Sequence, residues 1–168
     1  MSRRRHAALV LALAAAACLV PAAAALGLPP FTTSPKSAPG GHAQAEVSDI
    51  AVGCHATFDR FVMRTRLATA SYRVRYVRRI ISDGSGRTVR LRGRKRLRIV
   101  LDNARAHSQS GGQLFPNVTT PLCPNLRQVK VAGDFEGVVT FGLGLRRKTG
   151  FRVFRLTAPS RIVVDVAH

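Results

Sequence analysis

Apolar residues in this chain recur at every second position, and no stretch keeps a spacing of 3.6 residues. Tyr72, Val74 and Tyr76 alternate with Arg73 and Arg75. Leu97, Ile99 and Leu101 alternate with Arg98 and Val100, and Val129 and Val131 flank Lys130. A period of two gives an extended segment one face toward a core and one toward water. Segments 47–52, 60–67, Val138–Leu145, Phe151–Leu156 and 162–166 complete the set, with Phe61 and Met63 opposite Val62. Phe, Val and Ile suit such a pleated, half-buried surface. Asp83-Gly84-Ser85-Gly86, Gly133-Asp134 and Pro159-Ser160 carry turn chemistry between them. The pattern predicts an all-β chain, a small sandwich of two antiparallel sheets with about seven or eight strands. Its last two strands should be neighbours, and one short helical turn fits 121–126. The expected core is Phe61, Val74, Leu97, Ile99, Val131, Val139, Phe141, Phe154, Val163 and Val166. Residues 104–122 read as a long polar loop, the kind that often carries function.

The N-terminus reads as an export signal over residues 1–25. Arg3, Arg4 and Arg5 precede the apolar run 7–20, Pro21 breaks it, and Ala22 to Ala25 supply small residues for cleavage. That run falls short of the roughly 20 residues that span a bilayer, although a retained anchor or a lipid-modified Cys18 are the alternatives. Residues 26–46 are rich in Pro, Gly, Ser and Thr and read as a flexible linker. The remainder, 47–168, is one domain's worth of chain and long enough to bury a core without a metal. An exported chain would keep two cysteines, Cys54 and Cys123, and an even count outside the cytoplasm argues for a disulfide. Two free buried thiols are the alternative.

The formal charge is +19, of which three units sit in the signal. The basic residues cluster: between Arg60 and Arg98 there are 14 Arg and Lys and a single acid, Asp83. Arg73, Arg75, Arg90, Arg92, Arg94, Lys95, Arg96 and Arg98 would form one basic face if they occupy outward positions of neighbouring strands. Such a face attracts an anion and is weakened by salt; the plain alternative is a solvated surface. Nucleic acid is a poor physiological partner for an exported chain. The chain also lacks Trp and is only 6% aromatic, which makes a weak stacking platform. The anions of an envelope are wall carboxylates, phosphate polymers and lipid headgroups, all suited to the guanidinium fork.

The search for catalytic groups is largely negative. His55, His107 and His168 follow no metal-binding spacing, although three ligands can converge in space. Asp134 and Glu136 would lie on one side of a strand, where a turn role for Asp134 and an arginine partner for Glu136 are the simpler reading. Asp165 sits among Ile162, Val163, Val164 and Val166 and needs a partner if buried. Arg60, in the Asp59-Arg60 pair, and Arg161 are the candidate partners for a structural ion pair with it. Asn117-Val118-Thr119 matches the N-glycosylation sequon, and nothing asks for a cofactor.

Three segments carry a family resemblance. Residues 151–168, FRVFRLTAPSRIVVDVAH, join an aromatic-rich strand through Leu156, Pro159 and Arg161 to a β-branched run containing Asp165. Residues 54–62, CHATFDRFV, bring Phe58-Asp59-Arg60 into a strand, and residues 132–145, AGDFEGVVTFGLGL, read as a central hairpin. In this order they resemble the AMIN domain, and within it the AMIN-like variety of secreted actinobacterial proteins. AMIN domains are non-catalytic modules of bacterial envelope proteins, best known beside cell-wall amidases. The resemblance implies a β-sandwich, an envelope location, and the Asp-Arg pair and terminal Arg and Asp as structural ion pairs. The sequence therefore leads to a non-catalytic secreted module that binds an anionic cell-envelope component, peptidoglycan or an associated polymer, through a basic face. The alternative is an adaptor that recruits or activates a separate wall enzyme through its sheet edges or the 104–122 loop.

Overall fold

The computed structural model of the protein describes residues 27–168, so the segment read as a signal lies outside the described residues. Its strands are β1 (Lys36–Ala38), β2 (Ala45–Cys54), β3 (Phe58–Arg66), β4 (Ser71–Val77), β5 (Ile80–Ile81), β6 (Thr88–Val89), β7 (Lys95–Asp102), β8 (Ala104–Arg105), β9 (Val118–Thr119), β10 (Leu126–Phe135), β11 (Val138–Leu145), β12 (Phe151–Leu156) and β13 (Arg161–Ala167). One sheet has the order β1-β4-β7-β11-β10-β9 and the other β12-β13-β3-β2-β8, with β5 and β6 paired on their own. The two large sheets pack face to face as an all-β sandwich. The long strands pair antiparallel, and the exception is the two-residue β2–β8 pairing, which is parallel. The strand count exceeds eight because β1, β5, β6, β8 and β9 are pieces of two or three residues, too short to show a period.

Alternation decides which side chains fill the space between the sheets. Phe61 of β3 meets Phe141 of β11 edge to face, with ring centres 5.5 Å apart. Phe115 stacks on the same Phe141 ring at 6.1 Å. Each such ring contributes about 1.5–3 kcal/mol by leaving water. Of the ten expected core residues, Phe61, Val74, Leu97, Ile99, Val139, Phe141, Val163 and Val166 are buried, and Val131 and Phe154 are half-buried. The reading of β13 needs correcting. Ile162, Val164 and Val166 join the inter-sheet core, whereas Val163, though buried, does not. Val163 shares the opposite face with Asp165, and because β13 is covered on both faces its continuous apolar run could not reveal which one is inward.

Three further expectations change. Residues 28–46 are not a free spacer. Lys36, Ser37 and Ala38 pair with Val74, Arg73 and Tyr72, and Thr32 exchanges backbone hydrogen bonds with Phe151 at 3.2 and 2.8 Å. An extended Pro- and Ser-containing segment can serve as a short edge strand without any apolar period. Residues 121–126 form no helical turn, because the N–H groups of Asn125 and Leu126 donate to the buried Asp59 carboxylate at 2.7 and 2.6 Å. The 104–122 segment is tied down by β8, by β9 and by a bridge between His107 and Gln113, and it buries Ala106 and Phe115.

Candidate functional site

The chain between β4 and β7 decides where the basic residues go. It does not extend a flat hairpin. It folds back over the outer face of the six-stranded sheet, where Ile80, Leu91 and Ala132 form a second small core. Gly142 makes this possible, since a Cβ there would stand 2.9 Å from Leu91 and 3.1 Å from Ile80. The eight residues read as one face are therefore distributed over several adjoining clefts.

Arg73 and Arg75 lie exposed on β4, and Arg75 stands opposite Arg98 of β7 in the sheet register. With Lys36 of β1 they line an open cleft of about 400 Å³. Burial holds the Lys36 ammonium below its ordinary value. Acids partly neutralise this side, for Asp102 accepts from Arg73 at 2.9 Å and Asp83 accepts from Arg98 at 3.0 Å. Arg94, Lys95 and Arg96 line a second cleft of about 600 Å³ with Arg78, Arg79 and Lys148. There Arg96 donates to the carbonyls of Gly93 and Lys95. Arg90 lines a smaller recess with Arg78, Arg79 and Arg96. Arg92 lines a further cleft of about 710 Å³ that also holds Arg127, Arg146 and Arg147, and Arg94 stands between this cleft and the second one, lining both. No acidic side chain lines any of these four spaces.

Arg127, Arg146, Arg147 and Lys148 were not singled out from the sequence, whereas Arg78 and Arg79 extend the basic run of β4. The signal that existed was the Arg146-Arg147-Lys148 run after β11. Its proximity to Arg92 and Arg94 appears only once β11 is paired with β7, Leu145 beside Lys95.

The other sequence-predicted residues are elsewhere. Cys54 and Cys123 form a disulfide, with Cα atoms 5.2 Å apart. Asp165, fully buried, accepts from Arg60 at 2.7 and 2.9 Å and from Arg152 at 2.8 Å. The Asp165 hydrogen bond holds the Arg60 guanidinium above its ordinary value. Arg161 takes no part in this pair and donates to the Pro159 carbonyl instead. Asp59 serves the backbone of Asn125 and Leu126, as above, with His168 Nε2 at 3.4 Å. His168 Nε2 lies 3.1 Å from the His55 carbonyl, but His107 is not with them. His55 stacks on Phe58, while His107 Nδ1 bonds Asp134 at 2.6 Å. Asp134 also accepts from the Ala106 N–H, and Glu136 has no ion pair among the described residues, which corrects the expectation of an arginine partner. The cluster of potential metal ligands found among the described residues is Cys54, Asp59 and Cys123, whose thiols are consumed by the disulfide.

The β-sandwich, the Asp59-Arg60 entry to β3 and the Arg60–Asp165 pair stand in the segments that carry the resemblance, and the AMIN-like domain model matches residues 45–168. The chain belongs to the AMIN-like domain family. No curated protein and no solved structure matches it. Membership suggests a non-catalytic module related to the cell wall, and with the disulfide it suggests an extracytoplasmic protein. In this AMIN-like domain guanidinium and ammonium groups gather in clefts where, among the described residues, Arg73 and Arg98 alone are ion-paired.

Proposed function

We propose that this protein is a secreted, non-catalytic module that holds an anionic cell-envelope polymer, peptidoglycan or an associated polymer, through its basic clefts. The observation that carries this reading is that the described residues lining four cationic clefts include no acid, and that of their cations Arg73 and Arg98 alone have ion pairs, with Asp102 and Asp83. A solvated surface with no partner normally intersperses both signs. Residues 1–25 act as the export signal and 47–168 as the binding domain. Arg73, Arg75, Arg90, Arg92, Arg94, Lys95, Arg96 and Arg98 supply contacts, each weak alone because exposed charges are screened by water. Many contacts along one polymer add up.

Sedimentation with purified, protein-free cell wall tests this. Retention at low salt that falls steeply by about 1 M salt, where the screening length shrinks to about 3 Å, supports the reading. No retention at any salt overturns it and favours an adaptor with a protein partner.

A further inference from the structure

The cleft between residues 92–94, 120–122 and 146–147 differs in construction from the other basic surfaces. All five of its cations are arginines: Arg92, Arg94, Arg127, Arg146 and Arg147. Their main chains are fixed. The Arg92 N–H donates to Gln128 Oε1 at 3.0 Å and the Arg94 N–H to the Leu145 carbonyl at 2.7 Å. The Arg146 and Arg147 N–H groups donate to the carbonyl and side-chain oxygens of Asn125 at 2.8 and 3.0 Å. Arg127 occupies a bulge, where Leu126 faces Leu145 and Gln128 faces Gly144 across β11; an extra residue of this kind re-aims its side chain out of the ladder. The far wall is held as well, since Gln128 also donates to Thr120 at 3.4 Å and Cys123 is bridged to Cys54. Among the described residues none of the five guanidinium groups has a hydrogen bond or an ion pair, in contrast to Arg73, Arg96 and Arg98.

Fixed backbones carrying unpaired guanidiniums on several sides of one space are organised for a ligand rather than for the fold. A carboxylate presents two oxygens in one plane, which one or two forks satisfy. A tetrahedral phosphate ester accepts donors from several directions, and the bidentate guanidinium fork matches it. Leu122 stands beside the arginines and is 94% exposed, an apolar contact for the carbon chain of an ester. We infer that this cleft is a phosphodiester-binding site, taking the repeating ester of a phosphate polymer or the headgroup of an anionic lipid. The inference rests on the reading above that the basic clefts meet an envelope anion, and it names the class of anion.

Matched probes on the full chain test it. In solution the pair is poly(glycerol phosphate) and polyglutamate of equal length. On vesicles of equal surface charge the pair is phosphatidylglycerol and oleate. At least one phosphate probe should bind about ten-fold more tightly than its carboxylate match, a difference of one tenfold step in affinity. The triple variant Arg127→Lys, Arg146→Lys, Arg147→Lys keeps the charge and should lose that preference. A preference confined to vesicles and reduced by Leu122→Ser identifies the lipid headgroup as the source. A preference in solution that ignores Leu122→Ser identifies the polymer. Equal binding within both pairs, or a preference that survives the lysine variant, overturns the phosphodiester site while leaving general anion binding intact. Failure to bind all four probes overturns both.

Discussion

The carbonyl of Arg92 rests on Gly144, so closely that a Cβ at Gly144 would collide with the Arg92 oxygen. This contact seats the 92–94 segment on the end of β11 and sets the spacing between Arg92 and Arg146. Gly144→Ala should therefore displace the segment and destabilise the fold by about 1–3 kcal/mol, the usual cost of overpacking. Thermal denaturation reads the stability, and binding of a phosphate polymer reads the displaced cleft. Unchanged values of both would show that the close approach does not matter.

Reduction of the Cys54–Cys123 bridge, or the double Ser variant, should cost about 4 kcal/mol in the chain-entropy account, because the cysteines are 69 residues apart. The loss should be seen as a lower urea midpoint. Thr120 and Leu122 should also exchange their amide hydrogens faster, since Cys123 anchors this segment.

Asp165→Asn leaves two arginines, Arg60 and Arg152, facing a neutral side chain. Asp165 is fully buried while the Arg60 and Arg152 side chains are 27% and 14% exposed. Breaking a buried pair from one side typically costs 3–5 kcal/mol, and the partial exposure of both arginines puts the expectation at about 3. A urea midpoint within error of the native value would show that water replaces the carboxylate freely.

Glu46 is buried between Arg105 and Arg66, and the Arg105 hydrogen bonds are the main reason its carboxyl lies below the ordinary value of 4.5. Its stabilising effect is complete above that ordinary value and is lost as pH falls through the lower folded-state value. Glu46→Gln should be less stable than the native protein at pH 7, and the gap should narrow as the pH drops below about 4. A gap that stays constant with pH would remove Glu46 from the acid sensitivity.

Most long strands were legible because they repeat an apolar side chain at every second residue, as Val74 and Ile99 do, whereas β13 was legible as a continuous β-branched run that hid which face is inward. The short edge strands were not, because two or three residues cannot display a period. Residues 36–38, Lys-Ser-Ala between Pro35 and Pro39, showed no apolar repeat, yet they pair with β4. The basic residues were legible as a dense run but not as clefts. Their grouping depends on the fold-back of 78–94 onto Gly142 and on the register of β11 with β7, both long-range outcomes. Arg161 and Arg152 show the same limit. Chain proximity to Asp165 favoured Arg161, whereas cross-strand pairing brings Arg152 directly opposite Asp165.

The most direct test of the account is wall retention by a charge-reversed variant. Arg75, Arg90, Arg94 and Lys95 have exposed side chains without ion pairs among the described residues, so changing all four to Glu removes binding charge without breaking a structural contact. The account predicts that the variant melts within a few degrees of the native protein, since exposed charges contribute little to stability, and no longer sediments with purified cell wall at low salt. Undiminished retention by a correctly folded variant would contradict it and reduce the basic clefts to solvated surface.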